Sequence, residues 1–259
     1  MKKFLCLLTV ASLPLLSVNA QPVSPPGADR AMFSGGAAKL FGENSAFSAT
    51  LENTVMIAAK QQTVSIPGHM AFDSGKSRFE MDLTQAKGMQ IAPQMVAQLK
   101  MMGMDRSIAI SRPDKKVAYV VYPGLQAYAE TPLNDPNLGK PDSSFKLKTT
   151  ELGKETIEGH PCLKNKTIVT DDRGTNHEFT VWNATDLKNF PVRIETMDNE
   201  NAVTMVFSDV KLAKPEASSF DPPSGYQKYP DMQTMMQAEV MKRMAPGIPP
   251  GMTPGRQQR

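Results

Sequence analysis

A regular series of short segments with strand-like alternation constrains this 259-residue chain more than any other feature. Residues 77–83 show the pattern most clearly, because apolar side chains alternate with charged ones that would form a solvated face. Turn residues separate the segments, as Pro113 and Asp114 do. The predicted strands are 46–60, 63–72, 77–83, 107–112, 116–122, 145–150, 164–170, 176–182, 191–197 and 202–210. This spacing indicates an antiparallel all-β sandwich, barrel or curved sheet.

Two segments break the strand pattern and predict amphipathic helices. In residues 91–104, apolar side chains recur at helical spacing, and Gly103 is expected to end the helix. Those side chains are Ile91, Met95, Leu99 and Met102. The second helix, 231–244, begins with Asp231 as an N-cap and ends before Pro246.

The two ends of the chain have the composition of segments outside the fold. Residues 1–20 combine Lys2 and Lys3 with an apolar run and small residues at its end, which is typical of a cleaved signal peptide. Residues 21–40 are predicted to be a flexible linker and a short helix, and residues 245–259 a disordered tail. We therefore expect a periplasmic or secreted protein, without a membrane helix after the leader.

Charge and cysteine content argue against several classes of protein. The net charge is only +3 and no basic arm is present, so we expect no nucleic-acid partner. Cys162 is the only cysteine after the leader, so the fold must depend on its apolar core. The sequence has no glycine-rich phosphate loop and no nucleophile elbow. We therefore predict that this chain is not an enzyme and that it has neither catalytic residues nor a cofactor.

His160 and Cys162 lie two residues apart and allow three interpretations. They could ligate a metal or form a nucleophilic pair. They could also form the turn that enters a strand, with Cys162 buried as a small hydrophobic residue. No further ligands follow at a spacing typical of metal sites, so no metal site is assigned.

Methionine is unusually frequent, with 18 in the chain. Nine of these methionines lie in two clusters. The first consists of Met95, Met101, Met102 and Met104, and the second of Met232, Met235, Met236, Met241 and Met244. Flexible thioethers fill irregular cores, and they also suit a surface that accepts variable apolar ligands. They are in addition ligands that select Cu(I). The sequence leaves these three interpretations open.

The order of several short motifs resembles a bacterial exported domain family of unknown function that shares the fold of the LolA/LolB periplasmic lipoprotein carriers. The resemblance covers residues 40–230. Its motifs are 47–51, 79–82, 157–162, 182–187, 190–192 and 220–226. It implies a lipoprotein carrier-like domain over residues 41–230, with helices covering a hydrophobic cavity that holds acyl chains in the carriers.

The fold class we predict is therefore mainly β (α+β), a curved antiparallel sheet or half-barrel with two amphipathic helices over its concave face. The predicted function is non-catalytic binding of an apolar or amphiphilic ligand, either a lipid or a lipoprotein acyl chain, with transient contact with the outer membrane. The predicted lining residues are Phe79, Met81, Leu83, Ile91, Met95, Leu99, Met102, Ile108, Ile110, Val192 and Ile194. The alternatives are an envelope scaffold protein and a methionine-rich Cu(I)-binding protein.

Overall fold

Twelve strands form one open, curved sheet in the computed structural model, which describes residues 35–88, 93–133, 145–171, 173–198 and 200–244. The strands are β1 (Ala46–Ile57), β2 (Gln62–Asp73), β3 (Lys76–Asp82), β4 (Arg106–Arg112), β5 (Val117–Tyr122), β6 (Ala127–Pro132), β7 (Lys146–Ile157), β8 (His160–Thr170), β9 (Asn176–Ala184), β10 (Phe190–Asp198), β11 (Asn201–Lys211) and β12 (Gln227–Tyr229). The helices are a 3-10 helix (Gly35–Phe41), α1 (Pro93–Met102) and α2 (Met232–Met244).

The sheet consists of two antiparallel meanders, β1–β6 and β7–β11, joined by pairing between β1 and β11. The short β12 adds to β6 in parallel. The predicted mainly β, antiparallel fold class is confirmed. The predicted leader (1–20) and tail (245–259) lie outside the described residues, as does most of the predicted linker (21–40). Neither α-helix among the described residues has the length and hydropathy to cross a membrane.

Short turns account for the antiparallel order. Three hairpins close through three-residue 3-10 turns, and in each the next residue (Gln61, Lys116 or Gln126) is left-handed. Four-residue hairpin loops are most often built around a type I turn, as these are. Pro113 begins one of these turns, as the sequence predicted. The short strands β6 and β12 were not predicted, and β7 extends beyond its predicted end.

Strand register divides the side chains between two faces of the sheet, because directly paired antiparallel residues point to the same side. One face, here called the inner face, is the buried side of β1, β2 and β9–β11. Its members include Phe47, Leu51, Met70, Phe72, Met81, Ile194, Met205 and Phe207. The opposite, outer face of β3–β5 carries Arg78, Glu80, Ile108, Ile110, Tyr119 and Val121.

The outer face of β3–β5 is covered, which corrects the expectation of a solvated charged face. Phe220 packs on the apolar side chains of β4 and β5 and is fully buried. The Nη1 atom of Arg112 donates to the Phe220 carbonyl at 3.2 Å and to Asp221 Oδ1 at 2.6 Å. Arg78 donates to Glu80 Oε1 at 2.7 Å and to the Ser219 carbonyl at 3.0 Å. The segment after β11 therefore forms a second small core on this side.

Candidate functional site

One end of the inner face is closed by an aromatic cluster, here called the plug. Phe41, from the 3-10 helix, stacks on Phe47 with ring centroids 4.8 Å apart. Phe72, Phe190 and Phe207 surround the Phe41 ring at 5.6 to 6.1 Å. All five rings are buried, so the chain's own side chains fill this end of the inner face.

The opposite end of the inner face changes from buried to half-buried side chains over two rows. The inner row crosses six strands and is buried, and its members are Ile66, Asn53, Met205, Ile194, Val181 and Asn165. The next row outward, here called the mouth row, consists of Val64, Val55, Val203, Thr196, Phe179 and Thr167. Of these, Val203 and Thr167 are buried, and the other four side chains are partly exposed. The mouth row is thus where the apolar inner face reaches solvent.

Helix α1 lies at this same end of the sheet. The chain that leads into it pairs with β2, where the Lys87 amide donates to the Ser65 carbonyl at 2.8 Å. Gln62 donates to the Gly88 carbonyl at 2.5 Å. A ten-residue helix is about 15 Å long, which matches the roughly 14 Å across the three strand spacings from β2 to β5. We infer that α1 bridges the ends of β3 and β4 beside the mouth row.

The C-terminal end of α1 is fixed by two glycines in backbone contact. Gly103 has a φ of +70° and follows the helix directly. A Cβ built on Gly103 would lie 2.6 Å from the carbonyl carbon and oxygen of Gly124, which belongs to the turn between β5 and β6. Only glycine allows this approach without strain. The sequence prediction that Gly103 ends the helix is confirmed.

Apolar side chains of α1 are largely uncovered. Met95 is 55% exposed and Met101 79% exposed. Val96, Leu99 and Met102 are only partly buried, and none of the described side chains of α1 is fully buried. A surface helix normally covers its apolar stripe against a core. Within the described residues, α1 therefore presents an apolar stripe that the fold leaves incompletely covered.

Helix α2 differs, because it is docked. Met235 is fully buried against the inner face of β5 and β6. Glu239 accepts hydrogen bonds from Tyr229 at 2.6 Å, from Lys242 at 2.6 Å and from Arg243 at 3.0 Å. Burial opposes ionisation of Glu239, but these hydrogen bonds outweigh it and hold the pKa of its carboxyl below the ordinary value. The fold thus has one fixed helix and one with uncovered apolar side chains.

The structure does not bring all the predicted lining residues to one surface. Met81, Val192 and Ile194 are buried on the inner face, and Phe79 packs there partly exposed. The other predicted lining residues lie on the outer face, in a turn, on α1 or outside the described residues. Ile108 and Ile110 point to the outer face against Phe220, Leu83 begins a 3-10 turn, Met95, Leu99 and Met102 lie on α1, and Ile91 lies outside the described residues.

Several inner-face residues were absent from the predicted lining. Asn53, Val64 and Val203 belong to the two rows at the open end. The alternation along β1 and β11 was visible in the sequence. It could have identified these positions, but their meeting in one row depends on the pairing of β1 with β11, which are distant in sequence.

The predicted methionine clusters have different environments. Met104, Met232 and Met236 pack around the core that contains Met235. Met95, Met101 and Met241 are exposed. Core filling therefore explains part of each cluster. In the described part of the chain, no group of three or more histidine, cysteine, aspartate and glutamate side chains could hold a metal ion.

His160 and Cys162 are both placed at the start of β8, where they point to different partners. His160 Nδ1 lies 2.8 Å from Asp186 Oδ2, and this hydrogen bond lowers the pKa of the Asp186 carboxyl. The Cys162 thiol donates to the His160 carbonyl at 3.3 Å and is buried, which raises its pKa. Such a thiol is a poor nucleophile. His160 also borders an open pocket of about 540 Å³ at the plug end, lined by a mixture of charged and apolar residues.

Comparison with known proteins gives solved structures but no family model and no curated relative. A LolA superfamily protein from Nitrosomonas europaea is 10% identical, with 72% of this chain and 94% of that chain covered and a TM-score of 0.36. LprF from Mycobacterium bovis is 14% identical, with 74% and 97% covered and a TM-score of 0.37. The lipoprotein LppX from Mycobacterium tuberculosis is 12% identical, with 72% and 96% covered and a TM-score of 0.38. A LolA superfamily protein is thus among the structures that this chain resembles, as the sequence predicted.

Proposed function

We propose that this chain is a non-catalytic binding protein for an apolar or amphiphilic ligand, such as a lipid or the acyl part of a lipoprotein. The ligand lies at the open end of the inner face, between the mouth row and α1. The observation that carries the proposal is the incompletely covered apolar stripe of α1, a helix whose two ends are held by β2 and by the β5–β6 turn at the same end of the sheet as the mouth row.

Burial supplies the binding free energy in this proposal, and no bond is made or broken. Each methylene removed from water contributes about 0.8 kcal/mol. The methionines of α1 adapt their shape to different chains, because their side chains are unbranched and polarizable. The plug limits how far the ligand reaches along the inner face. Movement of α1 would expose the ligand again and allow its release.

The leader-like residues 1–20 support a place of action outside the cytoplasm. We propose a periplasmic or secreted location and, for a lipid or lipoprotein cargo, transient contact with the outer membrane. The ligand-binding role and this location are independent proposals, because burial of an apolar ligand supplies binding free energy in any compartment.

Displacement of a fluorescent fatty acid tests the proposal. The full chain is purified without detergent, and dansylundecanoic acid is titrated and then displaced with laurate. The test variant combines Met95→Gln with Met102→Gln, which changes one exposed and one partly buried side chain on the same stripe of α1 and should leave folding intact. A methionine side chain contributes about 1.5–3 kcal/mol when fully buried. We therefore expect the double variant to bind the probe at least about tenfold more weakly.

The matched control combines Met56→Gln with Met197→Gln. These methionines are exposed, and both pair with Ala202, which places them on the outer face. The control should bind as the unmodified chain does. Equal weakening in both double variants would contradict the proposed site. Failure of the unmodified chain to bind the probe would favour the scaffold alternative instead.

A further inference from the structure

A polar side chain without a hydrogen bond lies inside the apolar rows at the open end of the inner face. Asn53 is 7% exposed, and its Oδ1 atom is buried without a partner among the described residues. Buried polar atoms in folded proteins are nearly always hydrogen-bonded, so each exception needs an explanation. Leaving such an atom unpaired costs about 1–3 kcal/mol.

The neighbours of Asn53 on the inner face cannot supply a donor. It pairs with Ile66 on β2 and with Met205 on β11. Leu51 and Val55 precede and follow it on the same face of β1. These four side chains are apolar. A valine or leucine at this position would bury the same surface without the unpaired oxygen.

We propose that Asn53 is a specificity residue that accepts a hydrogen bond from the polar end of the bound amphiphile. This inference rests on the proposed function and adds the class of ligand: an acyl chain whose polar end carries a hydrogen-bond donor. The donor is either an amide N–H, as in an N-acylated chain end, or a hydroxyl, as in a monoacylglycerol. A ligand with an ester or hydrocarbon end leaves the Asn53 oxygen unpaired.

The position of Asn53 suits this role. Two residues along a strand cover about 7 Å, so Asn53 lies about one row inside the mouth row at Val55. A polar end that reaches Asn53 lies one row inside the mouth row, while its acyl chain extends outward past the mouth row and contacts α1. The plug, six residues further along β1 at Phe47, stays beyond the polar end. Asn53 would therefore bind the ligand at the point where its polar end joins the acyl chain.

The test compares two ligands that differ only in the donor. N-methyldodecanamide has an N–H where methyl laurate has an ester oxygen, and the two are otherwise nearly isosteric. Both are titrated against the fluorescent fatty acid bound to the full chain. We expect the amide to bind about tenfold more tightly than the ester, a difference of about 1.4 kcal/mol. Monolaurin is tested as the hydroxyl donor. If monolaurin binds more tightly than the ester and the amide does not, the donor is a hydroxyl; if only the amide binds more tightly, the donor is an amide N–H.

Asn53→Leu should abolish this preference while the ester binds at least as tightly as before. The variant removes the unpaired oxygen, so it should fold as well as the unmodified chain, and thermal unfolding checks this. Ser65→Ala is the control, because it removes a hydroxyl from a buried position on the outer face of β2 and should keep the preference.

Each outcome decides between the two proposals. An unchanged amide preference in Asn53→Leu would overturn the role of Asn53 and leave the proposed binding function intact. Equal binding of amide, monolaurin and ester by the unmodified chain would overturn it as well. Failure of the unmodified chain to bind any of the three ligands would overturn both proposals.

Discussion

The plug is the part of the fold whose removal has the most predictable cost. In Phe41→Ala, a ring that is buried among four other phenylalanines is replaced by a methyl group. Substitution of a buried phenylalanine by alanine costs about 3–5 kcal/mol, because burial is lost and a cavity remains. We expect the free energy of unfolding to fall by this amount.

The short 3-10 helix sets an upper limit to that cost. Phe41 and Leu40 are its buried side chains among those described. If the helix detaches, the burial of Leu40 is lost as well, which adds about 1.5–3 kcal/mol. A loss beyond the sum of the two ranges would mean that the strands themselves have rearranged.

Urea unfolding followed by circular dichroism and by the fluorescence of Trp182 measures the change. Phe179→Ala is the control, since Phe179 is only half-buried in the mouth row and should cost about 1–2 kcal/mol. The reasoning fails if Phe41→Ala costs less than about 1 kcal/mol, or less than Phe179→Ala.

Three further predictions concern the helices and the thiol of Cys162. Gly103→Ala should lower the free energy of unfolding by at least about 3 kcal/mol, because the new methyl group clashes with the Gly124 backbone and alanine is also strained at this positive φ. Gly159 has a positive φ too, but a methyl group there would meet no other atom, so Gly159→Ala should cost only about 1–3 kcal/mol in the same urea experiment. Because folding lowers the pKa of Glu239, its ionised carboxylate stabilises the folded chain at pH values above the ordinary pKa of 4.5, and this stabilisation is lost as the pH falls through the pKa of the folded state. The difference in Tm between the unmodified chain and Glu239→Gln should therefore shrink between about pH 6 and about pH 3. Cys162 should react with a bulky thiol reagent only as fast as the chain opens, and labelling as fast as in urea-unfolded protein would contradict its burial.

Local patterns in the sequence were sufficient for most of the strands, because alternation and turn residues act over a few positions. The two missed strands show the limit of such patterns. In β6, Ala127 and Ala129 have low strand propensity and are buried in the small core that includes Met235 of α2. β12 has three residues and depends on β6 for its hydrogen bonds.

The candidate site was less predictable, because its composition depends on register. Alternation shows that Ile108 and Ile110 share a face of β4, and that Phe79 and Met81 share a face of β3. It does not show that the two faces are opposite, which follows from the pairing of Arg78 with Ile110. The polar residue in the apolar rows was equally hidden, since an asparagine within a strand gives no sign of whether its amide finds a partner.

Photocrosslinking with an acyl probe tests the proposed site most directly. A fatty acid with a diazirine near its methyl end is bound to the full chain and irradiated, and the labelled residues are identified by peptide mass spectrometry. We expect labels on Met95, Leu99 or Met102 of α1 and on Val55 or Val64 of the mouth row. Labels confined to the outer face around Met56 and Met197, or no label that laurate can compete away, would contradict binding at the open end of the inner face.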